Sequence, residues 1–351
     1  MNVSLLISPA IRAGLLGAAV LLTGFSASAQ TAAVPRSRTF VLTSTATVPV
    51  PPAGTKTLDL WLPVPHTDAS QDVRDLKIDS PVPYKIEKGE FGNQMLHLRL
   101  ARYEPATLPT APLVVKLTAQ ITRREHLNLR ANAPTATAAA AAKAKKEKAD
   151  PDMARWLAPD RLVPLDAKIK QQAEEVVANA NAKTPLAKAR AIYEHVVGTV
   201  TYDKTGQGWG RGDIYYACDA RRGNCTDFHA IVIGYCRSLG IPARFSIGLP
   251  LPAQRGKGEV KGYHCWAEFY TPETGWVPVD ASEAAKDPSR RAYFFGAHDE
   301  NRVEFTRGRD VTLAPKQAGP PLNYFVYPYA EADGKPLEVG RLYEYADVMA
   351  Q

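Results

Sequence analysis

The stretch Gly223-Asn224-Cys225-Thr226-Asp227-Phe228-His229 decides how this chain is read. Beyond Cys225 the apolar residues Phe228, Ile231, Val232, Tyr235 and Leu239 recur at spacings of three and four, the period of a helix with one buried face. Gly240 ends the pattern and Pro242 follows it, so the spacing predicts a helix from Thr226 to Leu239 with Cys225 at its N-terminus. There the unpaired N–H groups and the positive end of the helix dipole favour thiolate over thiol, and the same N–H groups can hold an oxyanion. Gly223 lets the backbone approach a substrate closely.

Downstream, His264-Cys265-Trp266-Ala267-Glu268-Phe269-Tyr270, preceded by Tyr263, reads as an aromatic-rich strand. The turn Thr271-Pro272-Glu273-Thr274 leads to a hairpin partner, Gly275-Trp276-Val277-Pro278-Val279. His264 opens the first strand and Asp280 closes the second, so the two ends are neighbours in an antiparallel pair and a His–Asp hydrogen bond is geometrically natural. A thiol at its free pKa is mostly protonated at neutral pH; it needs an imidazole to take its proton and a carboxylate to fix the imidazole's tautomer. Cys225, His264 and Asp280 are the candidates for those three roles. Asp227 is expected to cap the helix start, and His229 to brace the site or satisfy a buried backbone group. A metal cluster of His229, His264 and Cys265 is disfavoured, because no tight Cys-x-x-Cys or His-x-x-x-His pair accompanies them; neither a metal nor a cofactor is expected. Arg237 and Arg244 read as structural ion-pair formers.

In these residues the chain resembles the transglutaminase-like core, a superfamily of papain-like folds that includes animal transglutaminases and many bacterial proteins. The resemblance runs from about Tyr202 to Ala284, carried by Gly-Asn-Cys225-Thr-Asp, Arg237-Ser-Leu-Gly-Ile-Pro-Ala-Arg244, His264-Cys-Trp-Ala-Glu and Gly275-Trp-Val-Pro-Val-Asp280. It implies that the family's catalytic Cys, His and Asp fall on Cys225, His264 and Asp280. It also implies a second oxyanion donor, an aromatic residue upstream of the cysteine. Tyr202 and Trp209 are both candidates, with Tyr202 preferred because it follows the apolar run Val196 to Val200. The family often has Pro after the Asp, where this chain has Ala281. The implied activity is thiol-dependent acyl transfer on amide bonds of proteins or peptides through a thioester. Hydrolysis is slightly preferred over transfer to an amine, since neither an acidic cluster like the calcium sites of the animal enzymes nor an amine tunnel is identifiable. The rival reading is a non-catalytic envelope binding or scaffold protein that keeps the fold.

At 351 residues the chain has room for two or three domains. Arg12, the apolar run Ala13 to Thr23 and Ala27-Ser28-Ala29 make residues 1–29 a secretory signal. No second long apolar stretch follows, so the expectation is a periplasmic or secreted protein without a stable membrane anchor. Cleavage would lower the formal net charge of +7 by one. Such a surface can visit anionic envelope polymers, whereas no dense basic run with interleaved aromatics points to nucleic acid. Besides Cys225 there are Cys218, Cys236 and Cys265, among which at most one disulfide can form. Cys236 reads as a core thiol, Cys265 as turned away from His264 by strand alternation, and Cys218 as a remote candidate for resolving an oxidised Cys225.

The fold expected is α+β: a papain-like transglutaminase core preceded by an immunoglobulin-like β-sandwich. Residues 36–129 supply the sandwich through period-two rows at Leu58, Leu60 and Leu62, at Leu96, Leu98 and Leu100, and at Val115, Leu117, Ala119 and Ile121. Residues 130–151, Ala- and Lys-rich, form a linker. Residues 152–351 hold the core with a C-terminal β extension. Within it, helices are expected from Asp166 to Ala180 and from the opening Thr184-Pro185. Tyr293 to Gly296 and Leu322 to Tyr329 are strand-like aromatic pieces, read as packing rather than as the wall of a substrate cleft.

Overall fold

The three leucine- and valine-rich rows become strands. A computed structural model describes residues 34–101, 109–132 and 153–348; residues 1–29 and nearly all of the expected linker lie outside them. In chain order the first strands are β1 (Ser37–Val48), β2 (Thr57–Val64), β3 (Gln71–Asp79), β4 (Lys85–Lys88), β5 (Gln94–Ala101) and β6 (Leu113–Arg124). Leu58, Leu60 and Leu62 of β2 face Leu100, Leu98 and Leu96 of β5, so two of the rows are cross-strand partners. On β6, Val115, Ala119 and Ile121 lie opposite Ala46, Leu42 and Phe40 of β1, all six buried. Register is fixed here because a one-residue slip would turn each row toward solvent.

Past β7 (His126–Leu127), in the described residues from 153 onward, the chain becomes helical. Asp166 caps α1 (Ala167–Asn179) by accepting from Ile169 N at 3.0 Å, and Thr184 caps α2 (Pro185–Thr199) by accepting from Ala187 N at 3.2 Å, with Pro185 in the first turn. Then come β8 (Thr201–Tyr202), α3 (Ile214–Ala220), β9 (Arg222–Gly223) and α4 (Cys225–Ser238). The remaining elements of the core are β10 (Ala243–Pro250), β11 (Lys257–Glu259), β12 (His264–Thr271), β13 (Gly275–Val279), α5 (Ala281–Lys286), β14 (Ala297–His298) and β15 (Arg302–Arg307). The core sheet runs β13-β12-β10-β15, antiparallel throughout, with α4 packed against β12 and β10 and surrounded by the other helices. Such central placement explains why nearly every residue of α4 is buried, well beyond the one face that its periodicity indicates.

The chain's last strands, β16 (Tyr329–Ala332), β17 (Lys335–Leu337) and β18 (Gly340–Asp347), do not extend the core sheet. β18 pairs with β1 along eight residues and β16 with β2, giving two five-stranded sheets, β11-β18-β1-β6-β3 and β17-β16-β2-β5-β4. The N-terminal β region is thus closed by strands from the far end of the chain, and residues 36–129 are not a self-contained body. From Pro35 onward the described residues form one compact unit. Side-chain amides tie the layers together. Gln71 of β3 donates to Glu304 O at 3.0 Å and accepts from Glu304 N at 2.8 Å, and Asn93 does the same for Arg307 at 2.8 Å each way, so β15 is gripped by both N-terminal sheets. Asn128 donates to Thr274 O and Trp276 O, and Asn132 to Phe295 O. Tyr293 to Gly296 and residues 322–328 are turns and loops rather than strands, with Pro320, Pro321 and Pro328 removing ladder donors around the second. A fragment spanning residues 35–132 should therefore show no cooperative thermal transition by circular dichroism, while the whole chain does. A sharp transition in the fragment would contradict the interlocked arrangement.

Candidate active site

The N-terminus of α4 is built by Asn224 and Asp227. Asn224 is the cap residue, its Oδ1 accepting from Thr226 N at 2.9 Å, and Asp227 returns the favour by accepting from Asn224 N at 2.9 Å. Asp227 also accepts from Gly210 N at 2.7 Å and Gly212 N at 3.0 Å, pinning the glycine-rich loop before the helix. The expected capping role of Asp227 is present, and Asn224 is the partner that the sequence reading missed. Gly223 serves this carboxylate: its φ is +153°, and a Cβ there would stand 2.2 Å from Asp227 Oδ2. Close approach of Asp227, rather than of a substrate, is the observed reason for a glycine at that position.

Cys225 is the first residue of α4 and only 1% exposed. His264, the first residue of β12, lies close enough for its imidazole to act on that thiol. The other side of the imidazole holds Asp280, with Nε2 to Oδ2 at 2.7 Å, which leaves Nδ1 as the nitrogen for sulfur. The hairpin pairing stops at Ala267–Val279, so Asp280 lies just beyond the ladder. It caps α5 instead, accepting from Glu283 N at 3.1 Å. The three sequence-predicted residues therefore lie together, His264 joined to Asp280 by a hydrogen bond and its charge acting on Cys225. Burial alone would push all three toward their neutral forms, and it is overcome. Burial would lower the His264 pKa, but the charge and hydrogen bond of Asp280, together with Cys225, raise it to about 10. Burial would raise the Cys225 pKa, but hydrogen bonds from Cys265 and His264 and the imidazolium charge hold it well below the ordinary thiol value. Burial acts on Asp280 likewise, and His264 and Arg302 keep it ionised. All three effects act in the direction of a thiolate–imidazolium pair backed by a carboxylate.

Several neighbours were not legible. Arg302 on β15 donates to Asp280 Oδ2 at 3.0 Å and to Asp299 Oδ1 at 3.1 Å, and its guanidinium lies over the Trp266 ring. Ser282 donates to Asp280 Oδ1 at 3.1 Å. His229 accepts at Nε2 from Ala281 N at 3.2 Å; since that N–H can only donate, the ring proton sits on Nδ1, which is 3.6 Å from Cys265 Sγ. The expected bracing role of His229 takes this form, and it explains the departure at position 281, because proline would have no N–H to give. Cys265 does point to the opposite face of β12 from His264, but that face is the one covered by α4, where its Sγ lies 3.6 Å from His229 Nδ1. All four cysteines are free. Cys218 lies 3.4 Å from Tyr235 Oη. Cys236 is buried, with its pKa pushed up to about 12.

Of the two upstream aromatics, Tyr202 pairs through β8 with Gly223 and packs on Phe228, next to the nucleophile helix, with Lys286 over its ring. Trp209 donates its indole N–H to Gly206 O at 3.1 Å within its own loop. On the other flank Asn224 Nδ2 donates to Tyr263 Oη at 2.9 Å, and Tyr263 and Tyr324 both donate to Gly210 O. Tyr324 and Tyr327, read from sequence as packing, pack on Tyr263 beside the thiol. Arg237 and Arg244 are ion-paired, to Asp160 and Glu268. Among the described residues, His66, Asp68 and Glu304 bring possible metal ligands within 4.8 Å of one another. Arg307 bonds Asp68 and lies 2.7 Å from Glu304 Oε1, so a guanidinium already supplies the positive charge there.

Comparison with known proteins bears on the fold that carries these residues. Residues 170–281 match the transglutaminase-like superfamily. An uncharacterized protein of Haemophilus influenzae is 26% identical over 332 residues, covering 85% of this chain and 87% of its own length. The uncharacterized protein YebA of Bacillus subtilis is 28% identical over 81 residues, 20% of this chain and 11% of its own. A cysteine-protease candidate of known structure from Cytophaga hutchinsonii shares the fold at a TM-score of 0.58 and 16% identity, over 90% of this chain and 92% of that one.

The ion pair makes a direct prediction. The rate at which a small alkylating agent modifies Cys225 should show no inflection near the free-thiol value of ~8.5, and should change as His264 loses its proton at about 10. A rate rising steadily through the free-thiol range would contradict the pair.

Proposed function

We propose that this chain, whose residues 170–281 form a transglutaminase-like superfamily domain, is an enzyme that cleaves amide bonds of proteins or peptides through a thioester on Cys225. The observation that carries the reading is a buried thiol at a helix N-terminus, under the charge of an imidazole that Asp280 holds at 2.7 Å. In this mechanism the Cys225 thiolate attacks the carbonyl carbon. The negative charge that develops on oxygen meets the Cys225 backbone N–H, which the capping box leaves uncommitted, and the dipole of α4. Tyr202 is the second donor to that oxygen. His264, already protonated, delivers its proton to the leaving amine, so the amide C–N bond breaks and the thioester remains. Water then attacks the thioester with neutral His264 as base, releasing the acid and regenerating the pair. Asp280 keeps the ring oriented at every step.

In the same proposal residues 1–29 direct export and the substrate is met outside the cytoplasm, in the cell envelope. The paired N-terminal sheets are an immunoglobulin-like sandwich that positions it. The non-catalytic scaffold reading finds no supporting observation, since none of the three groups is missing or displaced.

The test is incubation with a glutamine-containing peptide and a labelled primary amine. Ammonia and hydrolysed peptide are expected, with a trappable thioester absent from Cys225→Ala and with kcat lowered about 10²–10⁴-fold in His264→Ala. Conjugate without hydrolysis would replace water by the amine as acceptor. Equal probe labelling in Cys225→Ala would overturn the assignment of the nucleophile.

A further inference from the structure

A second polar site lies away from the thiol, where the core sheet meets β3 and β6. It is a cavity of about 490 Å³, and Glu268 on its wall is four residues along β12 from His264, some 13 Å at ~3.3 Å per residue. Four guanidinium groups and three carboxylates face it. Arg307 is held by Asp68 and Glu304, while Arg244 pairs with Glu268 and stacks on Trp276.

Arg123 is different. It is 1% exposed, lines the cavity, and neither its Nε nor its Nη1 has a hydrogen-bond partner among the described residues. Asp68, Glu268 and Glu304 act on it only through their charge, and Trp266 lies beneath its guanidinium. A buried guanidinium with two unfilled donor nitrogens, in a wall where positive charge exceeds negative by one, offers charged N–H groups to a carboxylate or phosphate. The space far exceeds one such group, and Leu127 and Leu129 add an apolar wall for the rest of a ligand about the size of a dipeptide.

We infer that this cavity binds a small organic oxyanion, its carboxylate or phosphate seated on Arg123 and its body against Leu127 and Leu129. The site is independent of the thiol chemistry and requires no covalent step.

Calorimetric titration of the whole protein in chloride buffer tests this with four probes: acetate, inorganic phosphate, alanyl-alanine and alanyl-alanine amide. The two oxyanion sources separate by whether phosphate or the free dipeptide binds more tightly. Saturable binding at one site is expected for at least one of those two, and none for the amide. Arg123→Gln should abolish it. Because that residue is buried, Leu129→Glu is the control that keeps the fold. Leu129 is 62% exposed at the mouth, and a like charge there should weaken the oxyanion about tenfold. Binding should survive in Cys225→Ala. The inference is overturned by the absence of saturable binding for every probe, which leaves water alone in the cavity. It is equally overturned by an amide that binds as well as the acid, by unchanged affinity in Leu129→Glu, or by loss of binding in Cys225→Ala.

Discussion

The carboxylate of Asp280 is the constraint on which the rest of this structure depends. It is fully buried and accepts from four donors: the His264 ring, the Arg302 guanidinium, the Ser282 hydroxyl and the Glu283 backbone N–H. A buried charge without partners would be expelled or neutralised, and removing one partner of such a pair costs about 3–5 kcal/mol. With its partners in place, the acid stays ionised, the ring is fixed with Nε2 inward, and the remaining nitrogen is presented to sulfur. The lowering of the Cys225 pKa follows from that charged ring as much as from the helix end beneath it.

Arg302 extends the constraint across the molecule. It sits on β15, the strand that Gln71 and Asn93 grip from the two N-terminal sheets, so the Asp280 carboxylate and the β region share one strand as support. Closure of those sheets by β16 and β18 completes the arrangement, because the strands that position β15 are themselves held by the chain's C-terminal end. Folding of the site and folding of the β region are then one event. This differs from the modular picture, in which a sandwich precedes a free-standing core.

What was legible in the sequence is what depends on local period and local stop signals. The helix behind Cys225, its end at Gly240, the hairpin from His264 to Asp280, and the caps Asp166 and Thr184 all follow from spacing within a few residues. Arg302 was not legible, because it lies 22 residues beyond Asp280 and no local pattern distinguishes it from an ordinary strand arginine. The pairing of β18 with β1 joins positions some 300 residues apart, and alternation within a strand does not name its partner. Cys265 shows the same limit. Alternation correctly put its side chain on the other face from His264, but only tertiary packing reveals that α4 covers that face and brings the thiol against His229. Gly223 was read for its freedom at the substrate side, whereas its requirement comes from a carboxylate four residues later.

The central claim is that His264 is an imidazolium at neutral pH because Asp280 and the Cys225 thiolate hold it so. Nitrogen NMR of the labelled histidine ring measures this directly. The account predicts that both ring nitrogens carry protons at neutral pH and that the ring becomes neutral only at about 10. A ring with a single protonated nitrogen at neutral pH, titrating near the ordinary histidine value of ~6.5, would contradict it.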